Sequence, residues 1–133
     1  MTGLLPDPTV RILVCGNADR GDDGVALVTI ATLLPTLPRG LLTMLEVRRS
    51  MELRVEDLVD LPPGVGCLIV DAVAGVEPGE IVRLSLTDLA ELGDRPAFTP
   101  RSSHQLPIHM VIGLAEILRE QPVEGTFIGL GVP

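Results

Sequence analysis

Apolar residues along the chain are grouped in short runs that end near glycine, proline or acidic residues. Runs rich in Val, Leu and Ile predict β-strands, because strands covered on both faces of a sheet are apolar throughout. The predicted strands are residues 11–15, 42–47, 67–70, 80–84 and 126–132. The run 67–70 ends on Asp71 and has no polar position, so it predicts a central parallel strand.

A helix is predicted after the first strand, at residues 22–34. The segment opens with Asp22-Asp23-Gly24, continues through a nearly unbroken apolar stretch and is followed by Pro35. Acidic residues favour the first turn of a helix and proline favours its end. Since this helix of about three turns is apolar almost all round, we expect it to be largely buried.

Three more helices are predicted further along the chain. Two are short, at residues 55–59 and 87–92, and a longer one follows Ser102-Ser103-His104. Apolar residues recur in the long segment at helical spacing, which predicts one apolar face. The residues of that face are Leu106, Met110, Leu114, Ile117 and Leu118.

Strand and helix therefore alternate, which is typical of an α/β fold. A chain of 133 residues is long enough for one core without disulfide or metal staples, so residues 1–133 are expected to form a single domain. We expect a three-layer sandwich, in which helices cover both faces of a twisted, mostly parallel sheet of about five strands. Binding sites in such sheets collect at the carboxyl ends of the strands.

Composition excludes several classes of partner. The net charge of −8 repels phosphate backbones and only 2% of residues are aromatic, so no nucleic-acid partner is expected. No apolar stretch reaches the roughly 20 residues that cross a bilayer, and the start of the chain lacks a secretory leader. We therefore expect a soluble, cytoplasmic protein that does not enter the membrane. Cys15 and Cys67 lie in apolar runs and are expected to be reduced, buried thiols.

Three points along the chain carry residues that can do chemistry. The pair Asp22-Asp23 either complements a helix start or binds a ligand, and His104 either caps a helix or acts chemically. Asp71 ends an apolar strand, where a carboxylate needs a partner or a ligand to offset its desolvation. Together, the two carboxylates and the imidazole would offer oxygen and nitrogen ligands to a divalent metal. Residue reasoning alone leaves a metal site and an acid–base site both open, and it gives His109 no chemical role.

The turn Gly16-Asn17 between strand and helix raises a dinucleotide-binding loop as a rival interpretation. Such a loop needs three spaced glycines, and the acidic pair Asp22-Asp23 would repel a pyrophosphate at the helix start. No nucleotide cofactor is therefore expected.

The chain resembles the hydrogenase maturation endopeptidases in three blocks that occur in the same order and at similar spacing. The first block is Gly-Asn followed by four residues, an acidic pair and glycine, at residues 16–24. The other two blocks are Leu68-Ile69-Val70-Asp71-Ala72 with a Pro78-Gly79 turn after it, and Ser103-His104-Gln105-Leu106. A single block would be weak evidence, whereas three in order are specific.

The resemblance implies an endopeptidase that removes a C-terminal peptide from the nickel-loaded large-subunit precursor of a nickel-iron hydrogenase. It implies that Asp23, Asp71 and His104 bind nickel, which the precursor supplies. It also places the substrate near Asn17, Asp22 and Gly24. A metal-polarised carbonyl or water, with Asp23 or Asp71 as the base, is consistent with this set of residues.

The chain departs from the family pattern in three places. The family's first loop usually has Gly-x-Gly-Asn, whereas here Val14-Cys15 precede Gly16-Asn17. Residues 47–50, Val-Arg-Arg-Ser, replace a glycine-rich turn, which changes how the precursor's tail would dock. Family members commonly continue into a C-terminal helix after the last strand, whereas this sequence ends at Pro133. A fold lacking that helix would expose one sheet face, which predicts a homodimer. A non-catalytic module of the same fold that binds metal or precursor is the alternative interpretation.

Overall fold

The computed structural model describes residues 8–92, 98–101 and 106–133, and of residues 18–20 the backbone alone. The strands are β1 Val10–Cys15, β2 Leu45–Ser50, β3 Gly66–Ala74, β4 Ile81–Ser85, β5 Thr99–Pro100 and β6 Gly125–Gly131. The α-helices are α1 Val25–Leu33, α2 Arg39–Leu42, α3 Val55–Val59, α4 Leu86–Leu92 and α5 Ile108–Arg119. Two 3₁₀ helices, Ala18–Gly24 and Leu34–Thr36, flank α1. No helix in these described ranges has the length and apolar character needed to span a bilayer.

The strands form one sheet in the order β2-β1-β3-β6-β4. The strands β2, β1, β3 and β6 run parallel, while β4 is antiparallel to β6. The short strand β5 pairs antiparallel with the end of β3. The predicted α/β class and mostly parallel sheet are confirmed, with β5 as an additional strand. The strand β2 begins three residues later than predicted, because residues 39–42 form α2.

Helices cover both faces of the sheet, which confirms the predicted three-layer sandwich. Alternate residues of β1 point to opposite faces, so Leu13 belongs to one core and Ile12 to the other. The larger core lies between the sheet and the helices α3, α4 and α5, and it contains the stacked rings of Phe98 and Phe127. The smaller core lies under α1, where Ala26 and Ile30 pack on the sheet.

The helix α1 is less buried than its sequence predicts. It begins at Val25, after the 3₁₀ helix that holds the acidic pair, and only Ala26 and Ile30 are buried. Val28 is 64% exposed. The prediction of a largely buried helix was wrong, because α1 forms the outer layer on its face of the sheet and its far side meets solvent.

The helix α5 packs through a different face from the predicted one. It begins at Ile108, directly after Pro107, and buries Ile108, Val111, Ile112 and Ala115. The predicted apolar face is exposed, and Ile117 is 73% accessible. This segment has apolar residues on two sides, so helical periodicity alone could not identify the side that meets α3 and α4.

One part of the sheet beside α1 is uncovered. Ile81 on β4 lies opposite Leu130 on β6 and is 65% exposed, and Leu130 and Ile128 are half-buried. Apolar side chains are therefore exposed on this part of the sheet. The homodimer expected from the sequence stays a prediction.

A buried arginine ties β1 to β2 and α3. The Nε of Arg11 donates to Glu46 at 2.8 Å, and its guanidinium donates to Asp60 at 2.5 Å and to the carbonyl oxygen of Asp57 at 3.0 Å. The hydrogen bond from Arg11 lowers the pKa of Glu46. Burial raises the pKa of Asp60, but the hydrogen bonds and charges of Arg11 and Arg48 outweigh this effect and lower it. These ionised carboxylates compensate the buried positive charge.

Candidate functional site

The loop after β1 brings the acidic pair to the carboxyl edge of the sheet. The N–H of Gly16 donates to the carbonyl oxygen of Ser50 at 2.9 Å, and the N–H of Asn17 donates to the carbonyl oxygen of Asp23 at 3.0 Å. A Cβ atom on Gly16 would lie 2.2 Å from that same oxygen of Asp23. Glycine is therefore required at this position, because the 3₁₀ helix folds back onto the loop and fixes the backbone of Asp23.

Asp71 lies inside β3 and is fully buried. The sequence placed it at the end of the strand, which was wrong by three residues. The strand continues because its parallel pairing with β6 extends from Asp71 opposite Gly129 to Val73 opposite Gly131, and β5 pairs with the same end. Side chains alternate along a strand, so Asp71 shares a face with Ile69 and points toward the side of the larger core.

The 3₁₀ helix lies against β3, so the segments that carry Asp23 and Asp71 are neighbours. Their environments differ, because the side chain of Asp23 is 19% exposed whereas Asp71 is inaccessible to solvent. Asp22 is exposed, Asn17 is half-buried, and Gly24 is buried at the start of α1. A segment with a partly exposed carboxylate and a strand with a buried carboxylate thus meet at this edge. The predicted third ligand, His104, lies outside the described residues.

Arg101 is a site residue that the sequence reasoning missed. Its backbone N–H donates to the carbonyl oxygen of Ala72 at 2.8 Å, next to Asp71. Its Nε lies 3.8 Å from Oδ1 of Asp23, and its guanidinium donates to the backbone oxygen of Pro133 at 2.8 Å. One signal was available, because Arg101 is a lone basic residue directly before the block that contains His104. Its pairing with Asp23, 78 positions earlier, could not be read from the sequence.

The carboxylates are suitable oxygen donors for a divalent cation. Within residues 8–92, 98–101 and 106–133, no group of three His, Cys, Asp or Glu side chains is placed to hold a metal ion. Asp23 and Asp71 therefore fit a metal only as part of a ligand set completed by other groups.

The two cysteines are buried and are not joined by a disulfide, which confirms the expectation of buried thiols. Burial raises the pKa of the Cys67 thiol to about 12. Since the thiolate is the reactive form, Cys67 is not suited to be a nucleophile near neutral pH.

A cleft of about 580 Å³ opens at the carboxyl end of β2, next to the loop that Gly16 begins. Its lining is strongly charged, and three arginines outnumber two acids although the whole chain carries −8. These residues are Arg48, Arg49, Arg54, Glu52 and Asp57. The cleft contains the Arg-Arg-Ser sequence that replaces the glycine-rich turn of the resembled family.

The layered sheet gives the chain the fold of the hydrogenase maturation proteases. It is similar to the NiFe hydrogenase maturation protease HybD from Thermococcus kodakarensis, with 24% identity and a TM-score of 0.64 over 93% of this chain and 80% of that chain. It is also similar to the hydrogenase maturating endopeptidase HybD from E. coli, with 21% identity and a TM-score of 0.65 over 91% of this chain and 72% of that chain.

Neither a scan against protein-family models nor a search of curated proteins gave a match. At 21% to 24% identity, the likeness to the two structures establishes a shared fold. It agrees with the fold that the three sequence blocks imply.

Proposed function

We propose that this chain is an endopeptidase that removes a C-terminal peptide from the nickel-loaded large-subunit precursor of a nickel-iron hydrogenase. The observation that carries the proposal is that the segment of the partly exposed Asp23 lies against the strand that holds the fully buried Asp71. Fully buried carboxylates are rare in folded proteins and often belong to functional sites, so the position of Asp71 favours a functional role. The fold shared with two maturation proteases supports the choice of reaction.

In this proposal, nickel belongs to the substrate. Asp23 and Asp71 contribute oxygen ligands and His104 contributes a nitrogen ligand, which together suit a borderline divalent metal such as nickel. The peptidase then needs no permanent cofactor, and the metal in the precursor becomes the feature that is recognised. No nucleotide takes part.

Hydrolysis requires a base as well as a polarised carbonyl. One of the two carboxylates accepts a proton from the attacking water while the water oxygen bonds to the scissile carbonyl carbon. The same proton then passes to the leaving nitrogen as the carbon–nitrogen bond breaks. Asp23 is reached from solvent more easily than Asp71, so it is the more direct candidate for contact with water.

The precursor's tail would approach over the loop that contains Asn17, Asp22 and Gly24. The arginine-lined cleft at the end of β2 adjoins this loop and has room for several residues of an extended peptide. A cytoplasmic location and a homodimer, both expected from the sequence, belong to the same proposal.

The direct test is intact mass spectrometry of the nickel-loaded precursor after incubation with this protein. Loss of one discrete C-terminal peptide is expected with the parent protein and not with Asp23→Asn, Asp71→Asn or His104→Ala. Asp88→Asn is a matched control, because Asp88 lies in the first turn of α4, at the opposite edge of the sheet from the site.

An unchanged precursor mass under these conditions would refute the peptidase. Complex formation without cleavage would favour the non-catalytic binding module. Cleavage that persists in all three site variants would mean that the chemistry lies elsewhere in the chain.

A further inference from the structure

Arg101 occupies an unusual position for a basic residue, because it lies beside a carboxylate proposed to bind a cation. The hydrogen bond from its backbone N–H to Ala72 fixes it to the end of β3. Its guanidinium also donates a hydrogen bond to the backbone oxygen of Pro133 at 2.8 Å. These contacts leave the Nε side of the guanidinium directed toward Asp23, at 3.8 Å from Oδ1.

The pair is partly shielded from water. The Nε atom of Arg101 is buried and makes no hydrogen bond with the described residues. The side chains of Arg101 and Asp23 are 38% and 19% exposed. Attraction between the two charges is therefore stronger than between fully exposed groups, although solvent still screens it.

A free divalent cation at Asp23 must compete with this arginine. The guanidinium offsets part of the negative charge of Asp23, so the carboxylate would attract the cation less strongly. The guanidinium, a few ångströms away, would also repel the cation. A metal already held by anionic side chains of another protein carries less net charge. It is repelled less, and it brings most of its ligands with it.

We propose that Arg101 keeps free divalent cations from binding to Asp23, so that the site accepts metal only when a protein substrate delivers it. This role of Arg101 is called the guard below. This inference rests on the proposed function, because it deepens the account of how that site selects nickel in the precursor. Arg101 acts through Asp23 and is a positioning residue, not a catalytic one.

The test is titration of each purified protein with Ni²⁺ by isothermal calorimetry. Arg101→Gln is expected to bind Ni²⁺ about fivefold more tightly than the parent, the change that corresponds to the upper range of a partly exposed ion pair. Arg101→Met should give the same gain, whereas Arg101→Lys, which keeps the positive charge, should resemble the parent. The gain should vanish when Arg101→Gln is combined with Asp23→Asn.

Arg39→Gln is the matched control, because it also makes the chain one unit more negative and Arg39 is exposed on α2, before the amino end of β2. Circular dichroism checks the fold of every variant, since the chain has no Trp or Tyr for fluorescence. Equal affinities for the parent, Arg101→Gln and Arg101→Met would overturn the guard, as would an equal gain in Arg39→Gln.

The guard and the proposed metal site can fail separately in this experiment. If Asp23→Asn weakens Ni²⁺ binding but the Arg101 variants do not strengthen it, the guard is wrong and the metal site stands. If Asp23→Asn has no effect in any background, the metal site at Asp23 is itself wrong, and the guard falls with it.

Discussion

Substitution of Gly16 by alanine tests whether the loop after β1 fixes Asp23. The new Cβ would lie 2.2 Å from the carbonyl oxygen of Asp23, and that oxygen also accepts a hydrogen bond from Asn17 at 3.0 Å. Carbon and oxygen atoms need about 3.2 Å, so the two backbones must separate by about 1 Å. Because the atom in contact belongs to the backbone, no side-chain rotation can relieve the clash.

The expected cost has two parts. Forcing a methyl group into this contact costs about 1 to 3 kcal/mol, and weakening the hydrogen bond from Asn17 costs about 1 kcal/mol. We expect Gly16→Ala to lower the free energy of unfolding by about 2 to 4 kcal/mol. A shift of about 1 Å at Asp23 should also reduce precursor cleavage roughly 100-fold in the protein that remains folded.

Urea denaturation followed by circular dichroism measures the stability, and mass spectrometry of the precursor measures the cleavage. Gly113→Ala is the matched control, because Gly113 lies in α5 and a Cβ there meets no atom within 4 Å. Alanine should stabilise that helix by up to about 1 kcal/mol. A Gly16→Ala protein with unchanged stability and cleavage would refute the proposed role of this loop.

Three further predictions follow from the packing. Arg11→Met should lower the free energy of unfolding by about 2 kcal/mol near neutral pH. This is less than the cost of removing one partner of a fully buried ion pair, because Glu46 is partly exposed and keeps its ion pair with Arg48. The lowered pKa of Glu46 contributes stability above roughly pH 4 to 5, and this stability is lost as pH falls through the folded-state pKa. The free energy of unfolding of Arg11→Met should therefore fall less steeply with acid than that of the parent. Equal slopes against pH would contradict this. Ile112→Ala should lower the free energy of unfolding, measured by urea denaturation, by about 2 to 5 kcal/mol, and Ile117→Ala should lower it by under about 1 kcal/mol. The reverse order would mean that the packed face of α5 is misassigned. Cys67 should react with a thiol reagent only after denaturation, and rapid labelling of the native protein would show that the thiol is accessible.

Local sequence patterns determined most of the architecture. Apolar runs predicted the main strands and their placement in a covered, mostly parallel sheet, because a strand buried on both faces has few positions for polar residues. The acidic pair at residues 22–23 and the carboxylate of Asp71 were also found from the sequence, since carboxylates next to apolar runs are conspicuous. The ligand roles of Asp23, Asp71 and His104 stay predictions.

The tertiary structure decided the features that depend on contacts between distant residues. Periodicity could not choose between the two apolar sides of α5, because the choice depends on α3 and α4. The end of β3 lies beyond Asp71, since pairing with β5 and β6 extends the strand. The approach of Arg101 to Asp23 could not be predicted from the position of Arg101 in the sequence, because the fold alone brings together the end of β3 and the loop after β1. The order of apolar and polar residues is a local property, so it can be read from the sequence. These ion pairs and packed faces depend instead on the three-dimensional arrangement of the elements.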